Sequence, residues 1–169
     1  MELSDYLLET LRQDDEFVLY RGRHQRPGEM DPPTMLLLRP RAEHPAVASL
    51  RRMEQEYSLR AELDPGWAAQ PLALVSHNGR TVLVLADPGG EPLDRLLGSP
   101  LELTPFLRLA IGLSAALGRL HGRGLIHKDV KPAHVLVDGA SGRAWLTGFG
   151  IASPVPSSFS PACPRRSAC

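Results

Sequence analysis

The sequence predicts an α+β fold, sheet-rich in its first half and helix-led in its second. Three observations predict it. Apolar runs of strand length stand at 17–21 (FVLYR) and 34–39 (TMLLLR). Two more, 72–77 and 81–86, flank Asn78-Gly79, the dipeptide that most readily turns a hairpin because both residues tolerate positive φ. Helical periodicity appears at 45–63 and returns at 104–121.

The elements follow in order. Phe17 to Arg21 reads as a strand, and the Pro- and Gly-containing stretch from Gly22 to Pro33 as a loop. Thr34 to Arg39 is the next strand. Pro45 opens a helix with Val47, Leu50, Met53, Tyr57, Leu59 and Leu63 on one broad side, ended by Asp64-Pro65-Gly66. The hairpin comes next, and Asp87-Pro88-Gly89-Gly90 breaks regular structure. Leu93 to Leu97 reads as a short helix. Thr104 is placed as an N-cap with Pro105 at the first helical position, and Gly122 and Gly124 close that helix. Val135 to Val137 and Ala144 to Leu146 are short strands around a turn. Residues 153–169, SPVPSSFSPACPRRSAC, have the composition of a disordered tail.

Composition narrows the function classes. Lys plus Arg equals Asp plus Glu at 19 each among 169 residues, which argues against nucleic acid as partner. The start is acidic, without a basic leader or apolar run, and the stretch from Leu107 to Leu120 is short and interrupted by Arg108 and Arg119. No membrane insertion and a cytoplasmic location are therefore expected. Both cysteines, Cys163 and Cys169, fall in the tail, without metal-ligand spacing.

The chemistry concentrates in residues 121–150, HGRGLIHKDVKPAHVLVDGASGRAWLTGFG. Asp129 and Lys131 are two apart, so extended backbone would aim both side chains one way. An acceptor beside a cation can orient a hydroxyl and neutralise a phosphate, although Asp-x-Lys alone is equally a solvated charge pair.

In context the stretch resembles the catalytic loop of protein kinases, His-Arg-Asp-Leu-Lys-Pro-x-Asn, with its following strand, turn and Asp-Phe-Gly. His127, Asp129, Lys131, Pro132, Val135-Leu136-Val137 and Phe149-Gly150 carry the resemblance. Lys131 points to the Ser/Thr-type branch. ADPGGEPLDRLL and LTGFGIAS are also similar to the kinase-like module at the front of large bacterial multidomain sensor histidine kinases.

The resemblance implies a bilobal fold. An N-lobe of antiparallel sheet plus one helix is expected at about 15–86, a hinge at 87–90 and the start of a C-lobe at 91–152. It implies ATP and a protein substrate or regulatory partner, with Asp129 accepting the substrate hydroxyl proton and Lys131 steadying the phosphate. Arg39, standing for the family's lysine, would pair with Glu56, with Glu54 the weaker alternative. Leu85, Ala86 and Asp87 would form the strand end and hinge that meet adenine. His134 would take the place of the metal-binding Asn.

Four departures predict weak or absent activity. Gly148 replaces the magnesium-binding Asp and offers no side chain. His134 is a poor magnesium ligand, since that ion prefers hard oxygens. Gly22 stands near the place of the Gly-rich loop, but no G-x-G-x-x-G follows. Arg39 is not interchangeable with lysine at a phosphate site. A fifth change, Lys128 beside Asp129, is milder. The alternative is a non-catalytic pseudokinase module or a fragment of a larger signalling protein, because the helices that follow in the family have no counterpart here. The face of Phe106, Leu109, Leu113, Leu117 and Leu120 is then expected to lack cover and to promote self-association.

Overall fold

The computed structural model describes residues 5–25, 34–98 and 100–156. Five strands build one antiparallel sheet: β1 (Tyr6–Gln13), β2 (Phe17–His24), β3 (Met35–Pro40), β4 (Pro71–His77) and β5 (Arg80–Ala86), in the order β1-β2-β3-β5-β4. Strand β3 is central, which explains its unbroken apolar run. Leu36 and Leu38 face one side with Met53, whereas Met35 and Leu37 join Val82 and Val84 on the other. Helix α1 (Val47–Ser58) lies on the first side and buries Ser49, Met53 and Glu56, spaced at i, i+4 and i+7. The β4–β5 hairpin turns through Asn78 (φ 50°) and Gly79 (φ 72°), as the sequence predicts.

The second half holds β6 (Glu91–Pro92), α2 (Leu103–Gly122), β7 (Leu125–Ile126), β8 (Val135–Val137), β9 (Ala144–Leu146) and β10 (Ser153–Pro154). Strands β6, β8 and β9 form one small sheet, and β7 pairs with β10. Backbone bonds from Leu146 N to Trp67 O (2.9 Å) and from Ala69 N to Leu146 O (3.0 Å) tie β9 to the segment after α1. The arrangement is α+β, an antiparallel sheet with a covering helix, as in a kinase N-lobe.

Several expectations need correction. Strand β1 precedes the expected start of the sheet, its outward residues hiding the alternation. Gly22 lies within β2 opposite Met35, so the expected loop from Gly22 begins later; residues 26–33 lie outside the described ones. Helix α2 starts two residues early, with Glu102 as N-cap, so Thr104 does not cap it. Leu93–Leu96 is a single 3₁₀ turn. The segment expected to be a tail begins with β10, whose Ser153 pairs with Ile126; residues 157–169 lie outside the described ones.

The apolar face of α2 is also redrawn. Leu109, Ala116 and Leu120 are buried against β7 to β9, with Leu113 and Leu117 partly covered. Of the expected face Phe106 is exposed, and the other exposed apolar residues of α2 are Leu103, Leu107 and Ile111. By length and composition α2 could cross a membrane, but it carries Arg108 and Arg119 and contributes to this core.

Candidate functional site

The loop from β7 to β8 is shaped by two histidines. His127 is buried; its Nε2 lies 2.9 Å from Thr147 O, and its Nδ1 accepts from Asp129 N at 3.3 Å. One neutral tautomer satisfies both contacts, and burial lowers the pKa of His127, which favours that form. Lys128 then adopts φ 68°, a left-handed conformation that turns the chain so that Asp129 faces the cleft. Asp129 Oδ2 meets Lys131 Nζ at 3.2 Å, so the acid–cation pair read from the sequence is formed.

His134 closes the place where the resemblance puts a metal. The ring is buried, with Nδ1 2.8 Å from Asp129 O and 3.3 Å from Asp129 Oδ2. Burial, reinforced by the nearby Arg12 charge, pushes its pKa down to about 4, so it is neutral at pH 7 and Nδ1 donates to the carbonyl. Gly148 lies against the ring. A Cβ there would come within 2.9 Å of three ring atoms, and its φ is +77°. Neither residue offers the hard oxygen that magnesium needs, and the space for one is filled by imidazole. Magnesium does not fit this site.

Glu56 is fully buried in the cleft, but its partners differ from those expected. Its Oε1 accepts from Gly148 N at 3.2 Å, and Phe149 N also donates to the carboxylate. Burial raises its pKa to about 7 despite those bonds and the charge of Arg12. Arg39 does not join it. Alternation sends Arg39 to the opposite face of β3, where Nη2 donates to Tyr20 Oη (2.9 Å) and the guanidinium sits 5.0 Å over the Tyr20 ring. The β3 residue that lines the cleft is Leu38. The expected Arg39–Glu56 pair is therefore not formed.

The cation facing Glu56 is Arg12, which sequence reasoning missed. Its alignment explains it: Arg12 pairs with Leu19, and Leu19 with Leu38, so the three share one face. The register slips between Thr10 and Arg12, and this bulge buries the consecutive Leu11 and Arg12 together. A strict alternation would have put one of them outside. The adjacent turn between β1 and β2 at the cleft, Asp14-Asp15-Glu16, is acidic, and Gly22, read as near the Gly-rich loop, lies inside β2 instead. Asp14 Oδ1 accepts from Glu16 N (2.9 Å) and Phe17 N (2.7 Å).

The hinge is occupied from within. Arg21 is buried; its Nε donates to Asp87 Oδ2 at 2.7 Å, Nη1 to Glu91 Oε1 at 3.0 Å, and Nη2 to Gly90 O at 2.6 Å. Asp87 Oδ1 also accepts from Gly89 N at 3.0 Å, and Ala86 N donates to Gln70 O at 2.8 Å. Leu11, Leu19, Leu36, Leu85 and Leu136 pack in one cluster, and Leu36, Leu85 and Leu136 are no more than 1 % exposed. Side chains so covered leave little face for a purine. The sequence signal for this latch was an arginine ending an apolar strand, with Asp87 far away in the chain.

Comparison with known proteins gives a consistent class. No protein-family model matches the chain. It is 32 % identical over 111 residues to CBL-interacting protein kinase 4 of Oryza sativa subsp. japonica, covering 63 % of this chain and 22 % of that protein. It is 39 % identical over 82 residues to serine/threonine-protein kinase PknA of Mycobacterium tuberculosis, covering 46 % of this chain and 18 % of that protein. It is 28 % identical over 115 residues to serine/threonine-protein kinase PknD of Protochlamydia amoebophila, covering 64 % of this chain and 10 % of that protein. The chain thus spans between 10 % and 22 % of the length of these relatives. It is similar in sequence to Ser/Thr protein kinases, and its antiparallel sheet with a covering helix is consistent with the N-lobe of such a protein.

Proposed function

We propose that the chain is a kinase-like signalling module of the Ser/Thr type whose cleft no longer supports magnesium-dependent phosphoryl transfer. The observation that carries this reading is the His134 ring packed on Gly148, which fills the ligand position of the metal. The hinge latch of Arg21 and the leucine cluster add that adenine has no ready seat, so any ATP binding is weak. Metal and electrostatic stabilisation carry most of the catalysis in phosphoryl transfer, so losing both ligands removes the principal source of rate. A bilobal arrangement, a regulatory protein partner and a cytoplasmic setting go with this reading. So does a place within multidomain sensor proteins, to which ADPGGEPLDRLL and LTGFGIAS are similar.

The test is calorimetric titration with ATP, with magnesium and with a chelator, beside a labelled-phosphate transfer assay. The expected result is weak binding that magnesium does not strengthen, and no transfer. A large magnesium-dependent gain would refute the proposal. A second reading, residual phosphotransfer, is favoured by the Asp129–Lys131 pair at 3.2 Å. There Asp129 would accept the hydroxyl proton and Lys131 would steady the phosphate; loss of transfer in Asp129→Asn would support it.

A further inference from the structure

The cleft holds a buried cation whose hydrogen bonds are not made. The Arg12 side chain is 6 % exposed, and its Nε and Nη1 have no hydrogen-bond partner. Its ion-pair contact among the described residues is Asp14 Oδ2 at 3.8 Å, too long for a hydrogen bond. Burying unpaired donors on a charged group is costly, so a guanidinium in this state needs a partner. The neighbouring acids are engaged elsewhere. Asp14 bonds the backbone of its own turn, Glu16 pairs with Arg52, Asp129 pairs with Lys131, and Glu56 accepts from Gly148 and Phe149.

The space beside Arg12 is small. A cavity of about 70 Å³ is bounded by Arg12, Glu56, Asp129, Lys131, His134 and Gly148, among others. This volume has room for one tetrahedral oxyanion. The cations at its wall are a planar fork and a point charge, a pair suited to oxygens on phosphorus.

We propose that the floor of this cleft binds a single phosphoryl-type oxyanion without magnesium, anchored by Arg12 from the bulge of β1 and closed at the mouth by Lys131. This rests on the reading of a cleft that no longer takes magnesium-bound nucleotide, and it names what the cleft takes instead. The anchoring charge comes from β1, because Leu38 occupies the cleft-facing position of β3. The oxyanion is either free phosphate or the end of a polyphosphate chain.

The test uses the full chain and inorganic phosphate, with chloride at matched ionic strength as reference. Thermal unfolding should show saturable stabilisation by phosphate, and calorimetry should give its Kd. Arg12→Met should weaken phosphate by at least about tenfold, the effect of losing a charge-assisted hydrogen bond. Nε and Nη1 of Arg12 have no hydrogen-bond partner to lose, so this variant should fold. Lys131→Met, at a half-exposed position, is the second variant and should weaken binding several-fold. Arg23→Met, at an exposed arginine outside the cavity, should leave it unchanged. Tripolyphosphate binding as tightly as ATP assigns the end of a polyphosphate chain; phosphate binding without either assigns the free ion. No stabilisation of the wild type beyond chloride overturns the inference. So does an equal loss in Arg23→Met and Arg12→Met. Tight magnesium-dependent ATP binding would instead overturn the proposed function, so the two failures are read separately.

Discussion

Replacing Gly148 by Asp and His134 by Asn tests the closed metal site through a double-mutant cycle. In Gly148→Asp alone, the new Cβ would sit 2.9 Å from Cγ, Cδ2 and Cε1 of His134, so ring or backbone must shift. Overpacking of this kind costs about 1–3 kcal/mol. The φ of +77° adds little for Asp, which tolerates the left-handed region better than most residues. In His134→Asn alone, a buried ring is lost and a void opens beside Gly148, at a cost of about 2–5 kcal/mol by analogy with other large-to-small changes. Together, the carboxylate enters the space the ring leaves. The double variant should be more stable than the sum of the singles by about 1–3 kcal/mol, measured by urea unfolding of all four proteins. The same double variant, and neither single, should show ATP binding strengthened by magnesium. Additive stabilities would mean that the ring and position 148 do not share one space. Coupling without any magnesium effect would mean that these positions are not the two metal ligands of the family.

Three further outcomes follow from other parts of the structure. Arg21→Ala strands the buried Asp87 carboxylate and should destabilise by about 3–5 kcal/mol in chemical unfolding; a change below about 1 kcal/mol, the scale of a surface pair, would deny this latch. The pH profile holds two opposed contributions. Glu56, raised to about 7, contributes stability that is present below its unfolded pKa and lost as pH rises through the folded value. His134, lowered to about 4, contributes stability that is present above its unfolded pKa and lost as pH falls. The directions of His127 and Asp14, both lowered, add to the loss on the acid side. Glu56→Gln should therefore unmask a rise in stability on the order of 3 kcal/mol from pH 4 to 6.5, where the wild type is nearly flat; identical profiles would refute it. Finally, Phe106→Glu with Ile111→Glu should reduce self-association in light scattering and shift stability by less than about 0.5 kcal/mol, since both side chains are exposed. A wild type already monomeric at high concentration would refute that patch.

Much of the fold was legible because it depends on local periodicity. The runs 135–137 and 144–146 are the strands β8 and β9, and the hairpin around Asn78-Gly79 is where turn chemistry puts it. The motif residues were legible too. Asp129 and Lys131 meet because spacing along a short loop fixes them, and the β8–β9 pair brings His134 against Gly148. Strand β1 was not legible, since an edge strand with several outward residues lacks alternation.

Which charges face the cleft was decided only by tertiary structure. Arg39 looked like the phosphate cation because it ends β3, yet a strand shows alternate residues to opposite faces, and Leu38 took the inner one. Arg12 reached the cleft because a bulge shifts register by one residue, and no local pattern announces a bulge. Arg21 found Asp87 across 66 positions of sequence, through the pairing of β2, β3 and β5. The sequence by itself carried the resemblance to Ser/Thr protein kinases and the departures from it at Gly148 and His134, since both lie in side-chain identity at fixed spacing. Strand register alone determined which cation lies beside Glu56, because that is a relation between residues far apart in the chain.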